Sequence, residues 1–176
     1  MNRIKRIAIW GPPSSGKSTL SKKLEKFYNL PVYHSDEIFE TNWRKIPKKI
    51  VQKKTENIIN FEKWIIDGNF AEQREKVLNF AQMVIILNLP YHILFSRHIK
   101  RTVSAYTRFQ LSSTKYYHKI QYKTNKQVLD QELIGGLKTI IQFKKNYYGY
   151  LIKLGKLNNQ SNKYIIIENQ NIILSN

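Results

Sequence analysis

Cysteine is absent from this 176-residue sequence, which removes disulfide staples, thiol nucleophiles and thiolate metal sites from its chemistry. That absence fits an intracellular setting. Acidic residues are scarce as well: 12 Asp and Glu stand against 30 Lys and Arg, a formal net charge of +18. Such a surface draws in anions, among them nucleotides, nucleic acids and anionic membranes, without choosing between them. The four histidines, His34, His92, His98 and His118, lack the close spacing of a metal-binding set. No apolar stretch approaches the ~20 residues needed to cross a bilayer. The opening MNRIKRIAIW is basic and then apolar, but it runs straight into a glycine loop, so a buried strand explains it better than an export signal. A soluble, cytoplasmic protein with no membrane partner is expected.

What is present suits one globular domain spanning residues 1–176. The apolar fraction is 41%, with 11 Tyr, 8 Phe and 3 Trp, enough for a core and unlike a disordered chain. Short apolar runs alternate with amphipathic stretches. Strands are expected over Arg3–Trp10, Pro31–His34, Trp64–Asp67, Met83–Leu89 and Lys163–Glu168. Helices are expected over Lys17–Tyr28, from Pro47 to about Phe61, over Phe70–Phe80, from Tyr91 to about Arg108, and over Leu133–Leu154 with Gly155 as its cap. The polar, Tyr-rich segment Gln110–Lys126 shows no period. Five strands separated by helices predict a three-layer α/β domain with a parallel sheet covered on both faces.

One motif carries chemistry by itself. Gly11, Gly16, Lys17 and Ser18 match G-x-x-x-x-G-K-[ST], with a strand before and a helix after. Glycines let the backbone curl so that several N–H groups converge on one phosphate, and the helix dipole adds positive potential. The whole loop, Gly11, Pro12, Pro13, Ser14, Ser15, Gly16, Lys17, Ser18 and Thr19, is the expected nucleotide site. Lys17 is expected on the β and γ phosphates and Ser18 on magnesium.

Carboxylates for the rest of the site are sought at strand ends, where ligands gather in open α/β sheets. Asp36 and Asp67 stand there; either one alternatively caps a turn or helix. Asp67 is the candidate for the metal and Asp36 for orienting or deprotonating an acceptor. Asn88 occupies the usual acidic place after Val84–Leu87 and brings no charge. Arg74 lies in the first turns of the next helix, within reach of a substrate anion. Arg97, Arg101 and Arg108 are spaced by four and seven, which puts them on one face of an unbroken helix. The planar, permanently charged guanidinium suits phosphate and transition-state charge; the alternative is a solvated basic face. His34, beside Ser35 and Asp36, reads as a partly buried strand histidine, and Trp43 as a core or rim aromatic.

GPPSSGKST, then HSDEIF, then WIIDGNF followed by Arg74, then LNLP followed by Arg97 and Arg101, together resemble a known family. They are similar to the adenylate-kinase-like P-loop proteins of the FlaR-related "DNA topology modulation protein" family, over roughly Lys5–Leu154. The resemblance implies a fold of the nucleoside monophosphate kinase type: a five-stranded parallel sheet with the P-loop strand at its centre and a mobile helical lid, here about residues 97–126. It also implies that Gly11, Gly16, Lys17, Ser18 and Thr19 form the nucleotide site, that Asp36 and Asp67 are acidic site residues, and that Arg97 and Arg101 are lid arginines. Phe70, Asn88 and Tyr91 depart from the family's usual Tyr, Asp and Arg.

The expected function is phosphoryl transfer from ATP, with Mg2+, to a nucleoside, a nucleotide or another small hydroxyl or phosphate compound. Lys17, Asp36, Asp67, Arg97 and Arg101 are the expected catalytic residues, with Asp36 and Arg74 at the acceptor and Ser18 and Asp67 at the metal. The alternative is a nucleotide-dependent nucleic-acid-binding protein with little turnover, against which stands the lack of any recognition-helix or RNA-binding motif.

Overall fold

Strand β1, Arg6–Trp10, puts Ile7 and Ile9 on one face and Ala8 and Trp10 on the other, all four buried. This two-residue alternation repeats in β5, Trp64–Asp67, and β6, Met83–Leu87. Ile65, Ile85 and Leu87 join the Ile7 layer, while Trp64, Ile66, Val84 and Ile86 join the Trp10 layer. A strand apolar on both faces must be covered on both, and the helices do so. The computed structural model describes residues 4–35, 38, 40–41, 44–68, 73–111, 116–117, 120–121, 129–149, 153 and 163–168.

Helix α1, Lys17–Tyr28, brings Leu20 and Leu24 onto the Ile7 face. It stops at Asn29, whose left-handed backbone (φ 54°) lets its N–H bond the Glu25 carbonyl. Helices α2, Lys48–Ile59, and α3, Arg74–Phe80, cover the Trp10 face with Ile58, Ile59, Val77 and Leu78. Helix α4, Tyr91–Leu111, starts on the Pro90 carbonyl and buries Leu94, His98, Thr102 and Ala105 along one stripe. A last helix follows. Its α-helical part α5, Gly135–Gln142, is preceded by a π-helical stretch, Leu129–Ile134, and followed by another, Phe143–Tyr148.

With β2, Val32–His34, and β9, Tyr164–Ile167, the main sheet is five-stranded and parallel, in the order β2-β5-β1-β6-β9. The domain is a three-layer α/β P-loop fold with the loop-bearing strand at the centre, as expected. Among the described residues no helix is long and apolar enough to cross a membrane.

The structure corrects several expected boundaries. Strand β6 ends at Leu87, although the Asn88 N–H still bonds the Ile167 carbonyl at 2.8 Å. Helix α3 starts at Arg74, not Phe70, because Gln73 (φ −104°, ψ 9°) is outside helical geometry; Phe70 itself lies outside the described residues. Helix α4 runs to Leu111. The last helix starts at Leu129, four residues before the expected Leu133, since a π turn shifts the apolar period that marks an α-helix. Two short hairpins were not expected: β3, Glu40–Thr41, with β4, Arg44–Lys45, and β7, Tyr116–Tyr117, with β8, Ile120–Gln121. Two-residue ladders are too short to show alternation. Gly155 lies outside the described residues.

Candidate active site

The loop leaving β1 is shaped by what it packs against. A Cβ on Gly11 would fall 2.9 Å from the Leu87 Cβ and 2.7 Å from the Ser15 Oγ, so only glycine lets the loop turn so close to the end of β6. Ser14 (φ 63°) and Gly16 (φ 95°) take left-handed conformations. They curl the chain into the start of α1, where the Gly16 carbonyl accepts from the Leu20 N–H at 2.9 Å. The Lys17 ammonium folds back on its own loop, donating to the carbonyls of Gly11 (2.9 Å) and Pro12 (3.0 Å). Ser15 is fully buried, and among the described residues its hydroxyl oxygen has no hydrogen-bond partner. A curled backbone, a helix N-terminus and an ammonium group on one concave loop form a site for a phosphate group.

Asp67 ends β5 beside β1, in register with Ile9, and the following Gly68 N–H bonds the Ile9 carbonyl at 3.1 Å. It is 4% exposed. Polar oxygens at that depth need hydrogen-bond donors. Its Oδ2 accepts from His34 Nδ1 at 3.1 Å and lies 3.2 Å from the Ser21 hydroxyl. The same hydroxyl is 3.2 Å from the Ser18 carbonyl, so Asp67 is linked through Ser21 to the first turn of α1. Sequence reasoning gave His34 no partner. The structure gives it Asp67, its register neighbour in the sheet.

A groove of about 360 Å³ opens beside this pair, lined by Tyr33, His34, Ile38, Lys54, Asn57 and Ile58. Arg74, the first residue of α3, holds its guanidinium 5.5 Å from the centre of the Trp10 ring, a cation–π distance. Trp10 ends the loop-bearing strand, so Arg74 belongs to the loop's surroundings. Arg97 and Arg101 flank buried His98 on α4, Arg97 partly buried and Arg101 exposed. The helix meets the loop through His98, whose Nδ1 lies 3.4 Å from the Ser14 Oγ. The side chain of Arg108 lies outside the described residues, as do Asp36, Trp43 and Phe70.

On the other side of β1, the Asn88 amide donates to Glu168 Oε1 at 2.9 Å, so a carboxylate just past β9 bonds the neutral residue at the end of β6. Sequence reasoning missed Ser21, His98 and Glu168. For Ser21 a signal existed: it lies three residues after Ser18, on the same side of the helix. The bond of Glu168 is long-range and leaves no pattern, and His98 leaves only an indirect one, the adjacent glycines Gly135 and Gly136, of which Gly136 lets its ring approach. Among the described residues no three His, Asp or Glu side chains cluster as a metal cage. A hydroxyl and one carboxylate near a phosphate loop instead suit Mg2+, which keeps several waters and borrows phosphate oxygens.

No family model matches the chain. Among curated proteins it is similar to adenylate kinase 8 of Mus musculus, 25% identical over 131 residues, which cover 60% of this chain and 27% of that protein. It is likewise similar to the adenylate kinase of Buchnera aphidicola, 27% identical over 141 residues, 65% of this chain and 62% of that one. The chain therefore matches only part of the length of each. Among solved structures it aligns with a shikimate kinase from Bacteroides thetaiotaomicron (TM-score 0.47, 18% identity, 94% of this chain and 86% of that one). It also aligns with one from Aquifex aeolicus (TM-score 0.41, 22% identity, 74% and 94%). The loop and the sheet order make this a P-loop α/β fold, and its sequence is similar to that of adenylate kinases.

Proposed function

We propose that the protein transfers a phosphoryl group from ATP to a small acceptor. The observation that carries this reading is the buried Asp67, hydrogen-bonded to His34 and Ser21 at the border between the phosphate loop and the groove at Tyr33 and His34. A phosphate-binding loop alone serves many chemistries. A loop with a carboxylate and an adjoining groove has room for a donor and an acceptor side by side.

In this reading the loop amides and Lys17 bind the triphosphate. Lys17 exchanges its two loop carbonyls for phosphate oxygens, so its charge is already held at the site before the nucleotide arrives. Ser18 and Asp67 would hold Mg2+, which neutralises charge on the phosphates when bound. Arg74 would bind an acceptor anion, Asp36 would orient the acceptor, and Arg97 and Arg101 would act as lid arginines. WIIDGNF, Trp64–Phe70, supports a finer placement in the FlaR-related family. Within the kinase reading, the acceptor is a nucleoside, a nucleotide or another small hydroxyl or phosphate compound.

A steady-state assay of ATP consumption across such acceptors tests the proposal. One acceptor is expected to stimulate turnover, and Lys17→Ala to abolish it. ATP consumption that no acceptor stimulates and Lys17→Ala leaves unchanged refutes it. The nucleic-acid reading draws on Lys22, Lys23 and Lys26, which line a groove with Ser18 and Thr19. It requires salt-sensitive binding to DNA or RNA.

A further inference from the structure

Among the described residues His98 is one of the few polar side chains with no exposure at all, and the hydrogen bonds of its ring join distant parts of the chain. Its Nε2 lies 2.9 Å from the Glu132 carbonyl and 3.2 Å from the Leu133 carbonyl. Carbonyls only accept, so Nε2 carries the hydrogen. In the neutral ring Nδ1 is then the acceptor, and the Ser14 hydroxyl, 3.4 Å away and 84 residues earlier, is the donor that faces it.

Each end of this link has a physical reason to need it. Glu132 and Leu133 fall where the helix passes from the π-helical stretch Leu129–Ile134 into α5. A change from i→i+5 to i→i+4 bonding drops one carbonyl from the ladder, and the His98 Nε2–H offers a donor at this junction. The ring reaches these carbonyls because Gly136 has no side chain: a Cβ there would fall 2.2 Å from the His98 Cε1. At the other end, Ser14 holds a left-handed conformation (φ 63°) that is costly for a residue with a Cβ. A bond to its hydroxyl offsets part of that cost and keeps the loop curled.

We propose that His98 is a positioning residue that ties the phosphate loop to the π-to-α junction of the last helix through Ser14, so that phosphate binding and packing of that junction are coupled. The inference rests on the loop binding ATP phosphates as proposed above. His98 touches no reacting atom; it sets the conformation of Ser14. Filling the loop and ordering residues 132–137 then favour each other, and by linkage the coupling runs equally in both directions.

The test is a double-mutant cycle on ATP affinity, with amide exchange read in parallel on the full chain. Ser14→Ala removes the loop end of the link and leaves the His98–carbonyl bonds in place. His98→Gln keeps an amide donor for the carbonyls and loses the acceptor facing Ser14. Each is expected to weaken ATP binding about three- to tenfold, the worth of one net hydrogen bond, and the double variant no more than either alone. ATP is expected to slow exchange at residues 132–137 in the wild type but not in either variant. Wild-type ATP affinity in Ser14→Ala, or losses that multiply in the double variant, overturns the link while leaving phosphate binding by the loop intact. A wild-type protein whose ATP binding is absent or indifferent to Lys17→Ala overturns both readings. A merely structural His98 would lower thermal stability in His98→Gln and leave Ser14→Ala unaltered.

Discussion

Gly68→Ala tests whether the ends of β2 and β5, which carry the His34–Asp67 pair, are held together by a missing side chain. Gly68 follows Asp67 and has φ of +135°, a conformation L residues rarely adopt, so alanine there carries about 1–3 kcal/mol of backbone strain. Its Cβ would also fall 1.6 Å from the Ser35 Oγ and 2.4 Å from the Ser35 Cβ. Ser35 is 4% exposed, so it has little room to yield, and overpacking a closed site adds about 1–3 kcal/mol more. A loss near 4 kcal/mol corresponds to a fall in Tm of roughly 8–16 °C for a chain of this size. Thermal melts and urea midpoints measure it. Ser35→Gly removes the steric part and leaves the strain, so in that background Gly68→Ala should cost only about 1–3 kcal/mol. Ser35 directly follows His34, so a displaced Ser35 should also weaken acceptor-dependent turnover more than ATP binding. A Gly68→Ala protein that melts within about 2 °C of wild type, or an equal loss in both backgrounds, would falsify this account.

Asp67→Asn keeps the shape of the side chain and removes its charge; the Mg2+ concentration for half-maximal turnover is expected to rise about tenfold or more, with metal-free ATP binding little changed. An unchanged Mg2+ dependence, read in a steady-state titration, excludes Asp67 from the metal site. Lys163, just before β9, has its pKa lowered by burial and then by the nearby Arg6, so the folded state resists its charge. Below the lowered value the lysine is charged in both states and the penalty is full; it shrinks as pH rises through the folded value and is gone above the unfolded one, near 10.4. Lys163→Met should therefore raise Tm by about 1–2 °C at neutral pH, and the gain should shrink as pH climbs toward about 10.4. A gain that stays constant or grows with pH contradicts that origin.

What could be read from the sequence depended on how local its cause was. The loop was legible because its glycines, its lysine and its flanking strand and helix are contiguous. The layers were legible because Ile7 and Ile9 alternate with Ala8 and Trp10, a pattern that burial on both faces imposes. Asp67 was legible as a residue at a strand end. Its partner His34 was not, because that requires β2 to lie next to β5 in a register that pairs the two residues, and strand order is set by packing of the whole domain. His98 was further out of reach: one partner is far away in sequence and the others are backbone carbonyls, which every residue has. The adjacent glycines Gly135 and Gly136 inside an expected helix were the available signal, since glycine in a helix interior often marks a close approach.

The two strand ends beside β1 differ in charge, and that difference gives the proposed reaction a direction. On the β5 side stands Asp67, buried and held by Ser21 and His34. On the β6 side stands Asn88, neutral and bonded to Glu168. In a chain with net charge +18, a cation is held only where carboxylate charge is local, and a buried carboxylate attracts it more strongly than an exposed one at equal distance. On the proposed reading, Mg2+ would be held on the β5 side by Asp67 and Ser18, the side on which the groove at Tyr33 and His34 opens. The proposed transfer would then run from the loop across the end of β5 toward β2 and α2. An acid at position 88 would give the metal a second place to bind on the far side of the loop, so the neutral Asn88 sharpens this direction.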